Sequence, residues 1–271
     1  FSHGEIVMIG AMVALSVIQL LTGAGVPVFF ILLISLLLSM IVCMILGYSM
    51  ERIAYRPLRN APRLAPLITA IGLSIVLQTL AMIFWGREYH SFPLLFKNDS
   101  IHIAGAVITE VQIIIILVAM SMMGGLLLLV HRTRLGRAMR AVSENPSAAA
   151  LMGVNSNSVI SITFMLGSAL AAIAGIMISA NYGIAHYLMG ALLGLKAFTA
   201  AVLGGIGNLR GAMLGGLLLG LIESLGAGYI GDLSGGFLGS HYQDVFAFFV
   251  LIAVLIFRPS GLLGERVAER A

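Results

Sequence analysis

The sequence predicts an all-α polytopic membrane protein of about eight transmembrane helices, one of them broken or re-entrant. Three observations carry that prediction. Hydrophobic residues make up 60% of the chain and charged residues 10%, where a soluble domain carries about 25% charged residues. The apolar runs have the length of helical spans, which need about 20 residues, rather than of membrane strands, which need about 10 that alternate. Arginine collects in every second loop, as cytoplasmic loops require. The net charge of +4 comes from those short loops, so it reports orientation in lipid rather than nucleic-acid binding.

Eight apolar segments are read near residues 6–22, 27–50, 64–85, 108–130, 158–180, 188–206, 211–230 and 242–257. Phe1 reads as the middle of something, without a signal-peptide pattern, so a further N-terminal segment is expected to precede it. Arg52, Arg56, Arg59 and Arg63 lie between the second and third segments, and Arg132, Arg134, Arg137 and Arg140 between the fourth and fifth. Arg258, Arg266 and Arg270 follow the last. Loops 22–26 and 181–187 carry no Lys or Arg, 231–242 holds Asp232, and in 86–107 Arg87 and Lys97 are balanced by Glu88 and Asp99. The arginine loops and the C-terminus are therefore expected in the cytoplasm. The whole of 1–271 is expected to form one transmembrane domain, with 131–157 as a cytoplasmic loop.

That loop resembles a soluble helical finger. After the four arginines, Asn145 and Pro146 suit an N-cap and a first helical position, and Gly153 suits a helix stop. A helix of roughly two turns results, too short to persist unless its own bundle or a partner packs on it. It is a candidate docking element.

Glycines recur every four residues at Gly190 and Gly194, at Gly207, Gly211 and Gly215, and at Gly216 and Gly220. Small residues at that spacing let helix backbones approach closely in lipid. Residues 188–220 are therefore expected to form a dense core, with a helix break around 204–211.

Ser2-His3-Gly4-Glu5 has the spacing of a capping box ahead of an apolar run. At membrane depth it would mark a discontinuous helix whose positive end faces a cavity and holds an anionic group such as a carboxylate; at the surface it is only a capped helix. Lys196 lies inside an apolar segment, where an ionisable group is costly and is usually paired or faces water. Glu223 is a candidate partner, with a structural role favoured over substrate contact, and Gln19 and Gln78 are further polar residues within spans. Ser2, His3, Gly4, Glu5, Gln78, Lys196 and Thr199 are the candidate pathway residues. Asn181 and His186 read as ordinary loop residues.

Cys43 is the only cysteine and offers neither a disulfide framework nor a metal cluster, so no metal is expected. There is no phosphate-binding G-x-x-x-x-G-K-[ST] loop, no H-E-x-x-H helix and no voltage-sensor arginine series. Paired intramembrane aspartates of the protease type are absent as well, so an enzyme is not the expected reading.

The stretches FSHGEIVMIGA, ERIAYRPLR, LITAIGLSIVLQ, RTRLGRAMRAVSENPSAAALMGVN, LKAFTAAVLGGIGNLRGAMLGG and RPSGLLG resemble the LivH-type permease of the bacterial branched-chain amino acid ABC importer. The resemblance runs over nearly the whole chain. It implies a subunit of the inner membrane, paired with a LivM-type permease as a heterodimer, with two cytoplasmic ATPases of the LivG and LivF types and a periplasmic amino-acid-binding protein. The chain itself would bind no cofactor; ATP and magnesium would sit on the ATPases. The finger would be the coupling helix, formed by Glu144, Asn145, Pro146, Ser147, Ala148, Ala149 and Gly153. Importers of this class carry Glu-Ala-Ala, three residues and Gly there. Here the pattern is Ser147-Ala148-Ala149, then Gly153. Serine in place of glutamate puts in question any salt bridge the glutamate would make, and Glu144 offers a charge three residues earlier.

Related permeases handle urea or short amides, so that cargo is the alternative to leucine, isoleucine or valine. From other classes, an ion-coupled carrier or channel would need carboxylates or carbonyl-rich breaks near the midplane. Glu223 alone is thin support for one, and the finger would be left without a role. A membrane scaffold without a pathway is a third reading, opposed by the polar residues scattered through the spans.

Overall fold

The computed structural model describes residues 2–59, 61–62, 64–93, 100–103, 106–230, 243–258 and 260–264. Six described helices are long and apolar enough to cross a bilayer: Ser2–Thr22, Val28–Leu58, Ala65–Trp85, Glu110–Arg132, Ser156–Tyr182 and Leu209–Tyr229. Two shorter apolar helices, Met189–Gly204 and Phe248–Phe257, coincide with the other segments read from the sequence, but fall short of the roughly 20 residues of a full span. The chain is an all-α polytopic membrane protein. Its contacts group into two units, Phe1–Gly194 and Leu195–Ala271.

In the first unit α1 (Ser2–Thr22), α2 (Val28–Met50) and α7 (Ser156–Tyr182) pack against one another in pairs. Small residues make this possible. A Cβ at Gly10 would come 2.6 Å from Ala172 Cα, and one at Gly175 would meet the Val7 carbonyl, so the α1 and α7 backbones are nearly in contact. Ile6, Met12, Leu15 and Ile18 of α1 are consequently sealed. Equally close approaches bring Gly190 and Gly194 of the 188–220 region against Gly4.

Pro27 precedes α2, and Pro66 sits in the first turn of α3 (Ala65–Trp85), where no intrahelical N–H is needed. Beyond Met50, α2 continues through a π-helical turn, Glu51–Tyr55, and a 3-10 turn, Arg56–Leu58. A complete capping box opens α4 (Glu110–Arg132): Thr109 Oγ1 accepts from Gln112 N at 3.3 Å, and Thr109 N donates to Gln112 Oε1 at 3.1 Å. Only Val111 is fully buried along α4, the rest of the helix being half-buried or exposed.

The finger holds two helices rather than one. Thr133 caps α5 (Arg134–Glu144), and α6 (Pro146–Leu151) follows. In α5, Leu135, Ala138, Met139 and Val142 recur at helical spacing on one face, away from Arg134, Arg137 and Arg140. Val142 packs with Ala149 and Val159 in a small core of its own.

Short antiparallel pairings join the loops at the other end. β1 (His90–Ser91) pairs with β4 (Ile184–Ala185), and β2 (Ser100–Ile103) with β3 (Ala106–Thr109). His186 is integral here rather than an ordinary loop residue. Its Nδ1 accepts from Leu188 N at 3.3 Å, leaving Nε2 to donate to the Arg87 carbonyl at 3.2 Å, and its ring stacks on Tyr89 at 4.1 Å.

In the second unit α8 (Met189–Gly204, begun in the first) is separated from α9 (Leu209–Leu225) by a glycine turn, and α9 packs with α10 (Gln243–Phe257). Gly205 and Gly207 have φ of 110° and 92°, conformations that favour glycine. This is the break expected around 204–211. Residues 260–264 staple it: Leu262 N donates to Leu203 O at 2.9 Å, and Asn208 Nδ2 to Leu263 O at 2.7 Å. Gly211 packs on Gly204, and Gly215 on Ala200, as close helix contacts. Gly207 does not share in that packing; a Cβ there would meet nothing within 4 Å, and its role is the turn.

Candidate functional site

Glu5 is the single carboxylate of α1 and has no exposed surface. Its Oε1 accepts from Ser74 Oγ and from Gln78 Nε2 of α3, each at 2.7 Å. Oε2 is buried and has no hydrogen-bond partner among the described residues. It occupies the space that a side chain at Gly190 would need, so Gly190 makes room for the carboxylate. Gly4 beside it lies against Gly194, where a Cβ would come within 2.6 Å of the backbone. The Ser2 hydroxyl bonds the Tyr55 hydroxyl, and His3 stands over Gly167, where a Cβ would be 3.2 Å from its Cε1.

Ser2 and Glu5 therefore do not close a capping box on their own helix. Both side chains reach to other helices, because tertiary partners outcompete the local bond. The structure brings Ser2, His3, Gly4, Glu5 and Gln78 into one unit, and directly joins Glu5 to Gln78. Sequence reasoning missed Ser74; its signal was the four-residue spacing to Gln78, which puts both on one face of α3. One turn along α1 and α3, Ile9, Val13, Leu46, Leu77, Ala81 and Trp85 line an apolar groove of about 390 Å³.

In the second unit Lys196 Nζ pairs with Glu223 Oε2 at 3.0 Å, both side chains being largely buried. Pairing answers the cost of two ionisable groups in an apolar segment. Thr199 is buried, and its hydroxyl donates to the Leu195 carbonyl at 2.8 Å, one turn back along α8.

On the finger, Asn145 Oδ1 accepts from Ser147 N and Ala148 N, both at 3.0 Å, and so starts α6. The end is a Schellman pair: Gly153 N donates to Ala150 O and Val154 N to Ala149 O, each at 3.0 Å. Gly153 has φ of 84°, the left-handed conformation that this motif requires. Ala149 faces inward, whereas Leu151 and Met152 are 90% and 85% exposed. Two large apolar side chains are thus exposed together at the tip of a turn capped at both ends. Single exposed apolar residues are ordinary; an adjacent pair on a capped tip suits a docking surface.

No group of three or more potential metal-ligating side chains occurs among the described residues. Buried polar clusters on long apolar helices, with an exposed apolar tip between two of them, describe a multi-pass membrane protein. The family described as the branched-chain amino acid transport system permease component matches residues 1–255, and the chain belongs to it. The chain is 46% identical over its whole length to the high-affinity branched-chain amino acid transport system permease protein BraD of Pseudomonas aeruginosa, covering 87% of that protein. It is 39% identical, with the same coverage, to the permease protein LivH of Escherichia coli K12. A shorter likeness, 31% over 184 residues, links it to the fructose import permease protein FruG of Bifidobacterium longum. No solved structure matches the chain. Permeases of this family are the membrane transport components of ABC importers, which implies partner ATPases and a substrate-binding protein.

Proposed function

We propose that this chain is the LivH-type permease subunit of an ATP-driven importer that moves leucine, isoleucine or valine into the cytoplasm by alternating access. The arginine loops and the C-terminus face the cytoplasm. A LivM-type permease completes a heterodimer, LivG- and LivF-type ATPases bind ATP and magnesium, and a periplasmic amino-acid-binding protein delivers cargo. Glu144–Gly153, including α6, is the coupling helix. The observation that carries this reading is the exposed pair Leu151 and Met152 on a turn capped at both ends, in a chain alike over its full length to permeases named for this cargo.

Closure of the ATPases on ATP would move α6, and transport follows only if ATP favours one access state over the other. Glu5, with Ser74 and Gln78, is the pathway's polar group. Its second carboxylate oxygen makes no hydrogen bond within the described residues and leaves a negative group to be answered, and the apolar groove one turn away suits a branched aliphatic side chain. Ser2, His3, Gly4, Lys196 and Thr199 are the other proposed pathway residues.

The test is uptake of labelled leucine into proteoliposomes holding this chain, its partner permease, both ATPases and the binding protein, with urea in parallel. ATP-dependent leucine uptake that is lost in Gly153→Val supports the reading. Urea uptake in place of leucine overturns the cargo, and ion-driven uptake by this chain alone overturns the importer.

A further inference from the structure

Beyond the coupling helix, we propose that Glu51, Arg59 and Asn157 form a clamp that carries the motion of α6 into α2, making them positioning residues for transport. The inference rests on the importer reading. Glu51 opens the π-helical turn at the end of α2 and is completely buried. Each of its oxygens has a partner from a different direction. Oε1 pairs with Arg59 Nη2, from the turn that follows, and Oε2 accepts from Ser161 Oγ of α7 at 2.6 Å. The other arm of the same guanidinium, Nη1, donates to Asn157 Oδ1 in the first turn of α7. Arginine suits this bridge because its planar fork holds two acceptors in fixed directions, which an ammonium cannot do.

That first turn is also the end of the finger. Ser156 Oγ donates to the Pro146 carbonyl at 3.1 Å, and the bonds of Gly153 and Val154 tie the finger to the end of α6. Val142, Ala149 and Val159 add an apolar contact between α5, α6 and α7. A displacement of α6 therefore passes to residues 156–157 without a slack loop between them. Arg59 passes it on to Glu51, and Ser161 makes a second attachment four residues further along α7. The receiving element is a π-helical turn, where a helix holds an extra residue and can change register at a single place.

A buried carboxylate that loses one partner is strongly penalised, so the clamp moves as a unit rather than stretching. A clamp of this kind links α6 to the bundle. A static staple built from the same residues would only hold α2 to α7.

The test uses the complete importer in proteoliposomes and reads leucine taken up per ATP hydrolysed. The variants are Asn157→Ala, Arg59→Ala, Arg59→Lys and the double Arg59→Ala/Asn157→Ala. Asn157 is exposed, so its variant folds even if Arg59→Ala does not. A clamp predicts ATPases bound at the wild-type ratio and uptake per ATP reduced about 2- to 30-fold. It also predicts a double variant no worse than Arg59→Ala, with Arg59→Lys no better than Asn157→Ala. Unchanged uptake per ATP in Asn157→Ala, or a double variant in which the two losses multiply, overturns it. A wild-type complex without ATP-driven uptake overturns the importer reading instead, and the clamp with it.

Discussion

Adding one methyl group at Gly47 tests whether small-residue contact holds α2 to α7. A Cβ there would lie 2.8 Å from Ser168 Cβ and 3.1 Å from the Phe164 carbonyl oxygen, and would fall inside the Ser168 hydroxyl. Carbon atoms settle at about 3.5–4.0 Å, so the helices must part by roughly 0.7 Å or Ser168 must leave its rotamer. Moving Ser168 breaks its 2.8 Å bond to the Phe164 carbonyl in a fully buried position. Overpacking of this kind costs about 1–3 kcal/mol. Cys43, the only cysteine, is the reporter: it is buried one turn before Gly47, with Sγ 3.5 Å from the Ile6 carbonyl. If labelling by a thiol dye follows opening of this interface, Gly47→Ala accelerates it about 5- to 150-fold. Ser168→Ala on that background removes the hydroxyl but leaves the Cβ clash, and restores part of the protection. Ser168→Gly removes both and restores most of it. Wild-type labelling in Gly47→Ala, or no rescue by Ser168→Gly, would refute the packing argument.

Three other variants probe the remaining polar and apolar features. Lys196→Met removes the ion pair to Glu223 and is expected to lower stability, by no more than the roughly 3–5 kcal/mol of a broken buried pair; thermal unfolding in detergent should show the loss, and Lys196→Met/Glu223→Leu should recover part of it. Glu5→Gln keeps an oxygen for the Ser74 and Gln78 donors, so it should fold while leucine uptake falls about tenfold or more, equivalent to at least about 1.4 kcal/mol. Wild-type uptake in that variant would make the carboxylate purely structural. Leu151→Asp/Met152→Asp changes only exposed tip residues. Its Cys43 labelling should match wild type while ATPase co-purification weakens about 30-fold or more, as for a lost hot spot of about 2 kcal/mol.

Several features were legible in the sequence because they are local. A bilayer demands about 20 apolar residues in a row, so the positions of the six long helices followed from the apolar runs. Asn145-Pro146 and Gly153 announced α6, since cap and stop are decided within a few residues of chain. Helix α5 was equally available in the spacing of Leu135, Ala138, Met139 and Val142, but the arginines drew attention to charge instead of periodicity. Lys196 and Glu223 could be paired in advance because two ionisable groups in apolar segments have few alternatives.

Other features depended on which helices meet. Ser2 and Glu5 matched a capping box in spacing, yet their partners are Tyr55, and Ser74 with Gln78, dozens of residues away. Thr109 and Gln112 have the same spacing and do close a box. A hydrogen bond goes to whichever donor the fold brings within about 3 Å, and sequence spacing does not contain that distance. The glycines divide in the same way. Gly190 accommodates a carboxylate, Gly211 admits another helix and Gly207 turns the chain, although all three looked alike in a pattern of period four. Composition and periodicity determined that this chain crosses a membrane as helices, and where. The tertiary structure alone decided which buried polar groups share a partner, because that depends on close approach between segments far apart in the chain.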